Sequence, residues 1–215
     1  MKNQSNYIVI SALAGILACI CDLVSQFVFG TFYPGYDQLT DTVSKLGSSI
    51  SPVSVQMSTL WIVVGILIIF FSTGFYKAFW EKGKYAKIAS GLLLLYGYGE
   101  GIGSGAFKAD RVADVLTTSG IIHEIHGTIG IIAILVFPLI MQKVIPKNEK
   151  PAFYLMSKIV FASGLIFLFL FLFRYSTDKT NFFTLYKGLW QRLLILNSYI
   201  YLMTIAILMI KRHNS

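Results

Sequence analysis

The chain reads as an all-α integral membrane protein, a six-transmembrane-helix bundle with a short interfacial helix in the first outer loop. Three observations lead there. Only 13% of the 215 residues are charged and 55% are hydrophobic, against about 25% charged in a soluble domain. The apolar residues fall into six runs, 7–30, 57–75, 88–105, 121–141, 152–173 and 193–210, each near the ~20 residues that cross a bilayer. The runs are also continuous, as in LWIVVGILIIFF and GLIFLFLFLF, whereas strands of a membrane barrel alternate apolar and polar residues. Lipid admits only helices or closed barrels, because only these satisfy their own backbone polar groups. Helices are therefore predicted, and residues 1–215 are expected to form a single six-helix membrane domain.

The first run follows Lys2, is longer than a signal-peptide core and has no small-x-small cleavage site after it, so it is read as a retained span. Cys19 and Cys21 are two apart, point to different helix faces and are expected to be unpaired packing residues. Asp22 lies about 22 Å along this helix, toward its far end. The loop that follows reads TFYPGYDQLTDTVSKLGSSISPVS. Its Pro34–Gly35 is a turn signal. Leu39, Val43, Leu46 and Ile50 recur at helical spacing, which predicts an amphipathic interfacial helix, capped by Asp37 or Thr40 and stopped at Gly47. Asp41 and Ser44 share one face of that helix, which either packs over the bundle or forms a lid.

The third run is crowded by Gly91, Gly97, Gly99, Gly101, Gly103 and Gly105, which allow close helix approach or local unwinding beside Glu100. Residues 100–127, EGIGSGAFKADRVADVLTTSGIIHEIHG, then gather Glu100, Asp110, Asp114, His123, Glu124 and His126. The fifth run is aromatic and reads as lipid contact; Arg174 closes it. Tyr175, Phe182, Phe183, Tyr186 and Trp190 suggest an interfacial belt or the entrance for an acyl chain. Gln191 and Arg192 open the sixth run.

Six spans put both termini on one side. That side carries eleven of the eighteen Lys and Arg residues, and the positive-inside rule makes it the cytoplasm. The expected address is a cytoplasmic (inner) membrane with both termini cytoplasmic. The net charge of +8 then belongs to topology and leaflet attraction, not to a nucleic-acid surface. No phosphate loop, nucleotide fingerprint or nucleophile elbow occurs.

This topology brings Asp22, Glu100, His123, Glu124, Arg174, Gln191 and Arg192 to one depth, in the outer half of the bundle, while the inner half is almost free of ionisable groups. Ionisable groups in a membrane are a functional hypothesis by default. An outward-opening polar pocket is expected.

The segments YPGYDQLTDTVSKLG and GSGAFKADRVADVLTTSGIIHEIHG resemble a bacterial six-helix membrane family, domain of unknown function 998. The positions that carry the resemblance are Ser44-Lys45-Leu46-Gly47, Gly103, Gly105, Asp110, His123 and the start of the sixth span, Gly188-Leu189-Trp190-Gln191-Arg192. Where the family pattern often has Phe-Pro-x-Asp, this chain has Phe107-Lys108-Ala109-Asp110. The resemblance implies a fold and an address and supplies no activity. It singles out Asp110 and His123.

Several chemistries fit these residue types. Asp110, His123, Ser44 and Glu100 are the catalytic candidates for a hydrolytic reaction, with Ser119 or Ser44 orienting a substrate. Asp41, Arg174, Arg192 and His126 are the candidates for binding a lipid or small molecule from the outer leaflet. His123 and His126, three apart on a helix, with Asp110 and the carboxylates Glu100 and Glu124 nearby in sequence, could hold a divalent metal such as zinc. A hydrogen-bonded network of His123, Asp110, Glu100 and Arg192 that only fixes helix packing is the alternative. A transporter or proton-coupled carrier would need a polar path through the inner half, where only Ser72, Thr73, Gln142, Ser163 and Asn197 are available.

Overall fold

The computed structural model describes residues 2–112 and 115–214. Five helices are long and apolar enough to cross a membrane, within α1 (Lys2–Thr31), α2 (Ser54–Ala78), α5 (Thr118–Val144), α6 (Pro151–Leu172) and α8 (Lys187–Asn214). The third hydrophobic run is a composite rod: α3 (Lys84–Tyr96), a π-helical stretch at Gly97–Gly103 and a last turn, α4 (Ser104–Ala106). Each rod packs on the next in sequence order, and α8 returns to α1, so the helices close into a ring.

Lipid as solvent explains which way each helix faces. On α1, Ile10, Leu13, Leu17, Ile20, Val24 and Phe27 line the exposed face, while Ser11, Asp22, Ser25 and Gln26 are buried. Apolar surface turned outward and polar groups turned inward is the reverse of a water-soluble bundle, and only a hydrocarbon surround satisfies it. The aromatic run of α6 follows the same rule: Phe169 is exposed, but Phe171 turns inward and is buried.

The half of the bundle nearer the termini is filled with hydrocarbon. Phe71, Phe75, Phe137, Tyr201, Met141 and Met209 are each at most 1% exposed, and Phe153 stacks on the Tyr201 ring at 5.5 Å. Ser72, Thr73 and Gln142 bond back to carbonyls of their own helices. Asn197 ties α8 to Ser163 and to the Val160 carbonyl of α6. The polar residues of this half are thus helix-packing groups and do not connect into a path. Cys19 and Cys21 are unpaired, as expected.

The opposite end carries three connections. Residues 32–53 form the largest, and it departs from the predicted amphipathic helix: only Val43–Gly47 is helical, as a short 3-10 turn. Val43 and Leu46 are buried as the pattern requires, but Leu39 and Ile50 are exposed, at 46% and 81%. The Asp37 carboxylate caps a single turn, as predicted. It accepts from the amides of Leu39 and Thr40 and from the Thr40 hydroxyl, and the Asp41 amide closes the turn on the Asp37 carbonyl; Thr42 is extended and ends it. Those bonds hold the Asp37 pKa below its ordinary value. A lowered carboxylate pKa stabilises the fold above the unfolded value of about 3.9 and is lost as pH falls through the folded value. Thermal melts of wild type and Asp37→Asn should therefore differ at neutral pH and converge below about pH 4; a gap that persists in acid would disprove this role for the charge.

The second connection is a two-stranded hairpin, β1 (Arg111–Val112) and β2 (Val115–Leu116), paired antiparallel. Asp114 lies outside the described residues. The third holds the short helix α7 (Phe182–Leu185), where Phe182, Phe183, Tyr186 and Trp190 form a ring cluster with centroids 4.8–6.4 Å apart.

Candidate functional site

The π-helical stretch decides where Glu100 goes. Glycines on both sides let three rods touch backbone to backbone. A Cβ on Gly101 would sit 2.4 Å from the Gly65 Cα on α2, and one on Gly99 would sit 2.6 Å from the His126 carbonyl on α5. Ser104 Oγ donates to the Gly99 carbonyl, five residues back, so the wider turn also satisfies part of its own backbone. Insertions of this kind occur often at functional sites. Here the turn delivers Glu100 between α2 and α5 into the centre of the ring.

A cavity of about 60 Å³ lies there, bounded by Asp22, Glu100, His123, Glu124, Arg174 and Gln191. Aromatic walls come from Trp61, Tyr96, Phe171 and Tyr199. The space suits about four water-sized groups. Three carboxylates face one guanidinium in it. Glu124 is matched, bonding Arg174, the Tyr175 hydroxyl at 2.9 Å and Arg111 at 3.3 Å. Asp22 is half-matched: its Oδ2 accepts from Tyr199 and from Gln26 Nε2, both at 3.0 Å, while its Oδ1 is buried with no partner. Glu100 Oε2 is buried and unpartnered, as is Gln26 Oε1. Buried polar atoms are normally satisfied by protein or water, so the two acceptors on the cavity wall, Asp22 Oδ1 and Glu100 Oε2, call for a donor inside the cavity.

His123 also faces this cavity. Its Nδ1 lies 3.0 Å from the carbonyls of both Ser104 and Phe107. Two acceptors require Nδ1 to carry the hydrogen, which leaves Nε2 as the lone-pair nitrogen in the neutral ring. The same bonds satisfy the end of the composite rod, whose last carbonyls have no helical partner.

A larger vestibule, about 720 Å³, opens above the cavity among the three connections. It shares Ser44, Glu124 and Arg174 with the inner cavity, so the Glu124–Arg174 ion pair and Ser44 form the partition between them. Asp41, Lys45, Asp110, Arg111, Lys179 and Lys187 line it further out.

The 32–53 connection is strapped down at both ends. Arg192 donates to the Asp41 carbonyl at 2.9 Å, the Gly188 carbonyl at 3.1 Å and the Tyr36 hydroxyl at 2.5 Å. The Tyr36 hydroxyl in turn donates to the Thr42 carbonyl at 3.1 Å; burial raises its pKa, with Arg192 pulling the other way. Gln191 Oε1 accepts from the Val43 amide, and the Leu189 amide donates to the Leu39 carbonyl. Gly188 permits this seat, since a Cβ there would lie 2.3 Å from the Asp41 carbonyl oxygen. At the other end the Asp110 carboxylate holds Ser49, accepting from its amide at 2.7 Å and its hydroxyl at 2.6 Å.

The residues singled out from the sequence therefore divide. Ser44, Glu100, His123 and Arg174 meet at the inner cavity. Asp41 does not point inward; it bridges Lys45 at 2.7 Å on the vestibule wall. Arg192 is a clasp for the connection, and it bonds neither Glu100 nor His123. Asp110 holds Ser49 rather than His123, so the expected pair is not assembled. His126 lies apart from the cavity: it stacks on Phe107 at 5.6 Å, lies against Tyr98 and bonds the Ile122 carbonyl of its own helix. The metal set His123, His126 and Asp110 fails for the same reason, and no three His, Cys, Asp or Glu side chains among the described residues come close enough to hold an ion. Residues three apart on a helix point about 60° apart, and here His123 faces the cavity while His126 packs against Phe107 and Tyr98. Ser119 is also engaged, accepting from the Lys108 amide at 2.7 Å.

Sequence reasoning missed Tyr96 and Tyr199, which read as ordinary span residues. Their hydroxyls bond each other at 3.2 Å, and Tyr199 reaches Asp22. A usable signal existed: tyrosine belongs at span ends, and both lie inside their hydrophobic runs, 88–105 and 193–210. Lys108 was missed too; its Nζ reaches the Ser54 carbonyl and the hydroxyls of Ser54 and Ser58.

The fold and the cavity define a multi-pass α-helical membrane protein whose ring of helices encloses a polar, acid-rich chamber at one end. Within that class the chain belongs to the family described as "Protein of unknown function (DUF998)", which it matches over residues 12–208. No curated protein and no solved structure matches it.

Proposed function

We propose that this protein is a six-helix component of a bacterial cytoplasmic membrane, with both termini in the cytoplasm, whose chamber opens outward and binds a small molecule or lipid headgroup from the outer leaflet. The composite α3–α4 rod serves as the sixth span. The observation that carries the reading is the set of orphan acceptors at Asp22 and Glu100, in a cavity that shares its partition with a much larger vestibule. A polar cluster present only to hold helices together would satisfy its own atoms. Binding is favoured over hydrolysis because the nucleophile, base and orienting group are not in line: Ser44 Oγ bonds Thr42 at 3.3 Å, and Asp110 is occupied by Ser49. His123, with Nε2 as its lone-pair nitrogen, is the residue a hydrolytic step would use as base. Transport is disfavoured by the hydrocarbon plug at Phe71, Phe75 and Phe137.

The test is thiol labelling. In a background with Cys19 and Cys21 replaced by alanine, Ser44→Cys should react with a membrane-impermeant methanethiosulfonate added outside intact cells, and Lys82→Cys in an inner loop should not. Labelling of Lys82→Cys but not Ser44→Cys from outside would reverse the orientation and defeat the reading.

A further inference from the structure

The geometry points to a protonated primary amine as the ligand chemistry of the inner cavity. This rests on the outward-opening binding site proposed above and specifies what enters it. Four features carry it.

The first is the charge balance. With Glu124 matched by Arg174, the cavity is left with Asp22 and Glu100 and no second cation on its wall. The second is the polarity of the unmet need. The unpartnered side-chain atoms of the cavity wall are two acceptors, Asp22 Oδ1 and Glu100 Oε2, against a single donor, Arg174 Nε. A ligand that fits must bring donors, and a cation suits two carboxyls that have none of their own. An –NH3+ group brings three donors and one charge. Asp22 is only 5% exposed and is already held from behind by Tyr199 and Gln26, so its free oxygen is fixed in place. The third is the wall. Trp61, Tyr96, Phe171 and Tyr199 surround the carboxylates, so a charge that enters is poorly screened by water and interacts strongly with them. The fourth is size: about 60 Å³ holds an ammonium head and one or two carbons, not a whole metabolite. Any remainder of the ligand would extend past Ser44 into the vestibule, whose wall carries the Asp41–Lys45 ion pair and Lys179.

Two sources present this group, a soluble amine and an amine-headgroup lipid of the outer leaflet, and the experiment separates them. Detergent-purified protein is melted in methylammonium or ethanolammonium chloride, with sodium chloride and tetramethylammonium chloride at equal ionic strength as controls. At about ten times the dissociation constant the primary amines should raise the midpoint by about 3 °C, and the two controls should not. Glu100→Gln, and separately Asp22→Asn, should abolish the rise; both are isosteric, and either alone suffices if the other does not fold. A parallel melt in nanodiscs compares phosphatidylethanolamine with phosphatidylglycerol. A Glu100-dependent rise only in the former identifies the lipid as the source, and a rise only with free amine identifies a soluble ligand. Equal response to all four salts, or a response that survives both substitutions, overturns the proposal. No response to any amine, with Ser44→Cys still labelled from outside, overturns the amine while leaving the outward-opening site intact.

Discussion

Gly65→Ala should destabilise the protein by about 3 kcal/mol or more, at the upper end of what overpacking does. An added Cβ at Gly65 would lie 2.5 Å from the Gly97 carbonyl oxygen, 2.8 Å from the Ile102 amide nitrogen and 3.0 Å from the Gly101 Cα. All three are backbone atoms of the π-helical stretch, so no side chain can swing aside. The rods must separate, and the dispersion contacts along α2 and the composite rod go with them. Gly101→Ala meets the same crossing from the other side, with 2.4 Å to the Gly65 Cα. The control is Gly91→Ala, in the regular part of α3. Nothing lies within 4 Å of its added Cβ, so relief of glycine's helix penalty should leave it neutral or stabilised by up to about 1 kcal/mol. Equilibrium unfolding in detergent measures both. Equal effects at positions 65 and 91 would mean that the close crossing is not what holds the π turn.

Arg192→Ala should lose about 3–4 kcal/mol, and Arg192→Lys most of that. Arginine is 8% exposed here and holds three oxygen acceptors through two nitrogens. Removing it leaves buried acceptors unmet at about 1–3 kcal/mol each. The loss is reduced because burying the guanidinium was itself unfavourable. Lysine keeps the charge but not the fork that reaches Asp41, Gly188 and Tyr36 together. A second readout separates this clasp from a merely packed residue. With the 32–53 connection released from α8, Ser44→Cys should be labelled faster in the Arg192→Lys background than in wild type. Unchanged labelling, even with lowered stability, would show that the connection is held elsewhere.

These two sites differ in how visible they were beforehand. Alternating glycines beside Glu100 announced either close approach or unwinding, and both occur in the same seven residues. The sequence does not say which neighbours come close, because that depends on Gly65 and Gly130, one on each adjacent helix. Arg192 was legible as a polar group at the right depth, but its role was not. It was grouped with the ligand-binding residues, and it spends its donors on the backbone of a distant loop. The predicted interfacial helix failed for a local reason. Asp37 caps one turn, but Thr42 is extended and breaks it, and helix resumes only at Val43.

Hydropathy alone was enough for the class of the molecule, the five helices long and apolar enough to cross a membrane and the end at which its ionisable groups gather. Those are one-dimensional properties: lipid leaves only helix or closed barrel, continuous apolar runs exclude the barrel, and helix length then converts position in the chain into depth. Rotation about each helix axis is not one-dimensional. His123 and His126 share a helix and a depth, yet one faces the chamber and the other packs between Phe107 and Tyr98. Asp110 and His123 belong to the same short segment, yet one anchors Ser49 and the other lines the cavity. Only the packing of six rods into a ring, with glycines deciding how closely each pair meets, turned a single run of polar residues into a clasp, a partition and a chamber around Asp22 and Glu100.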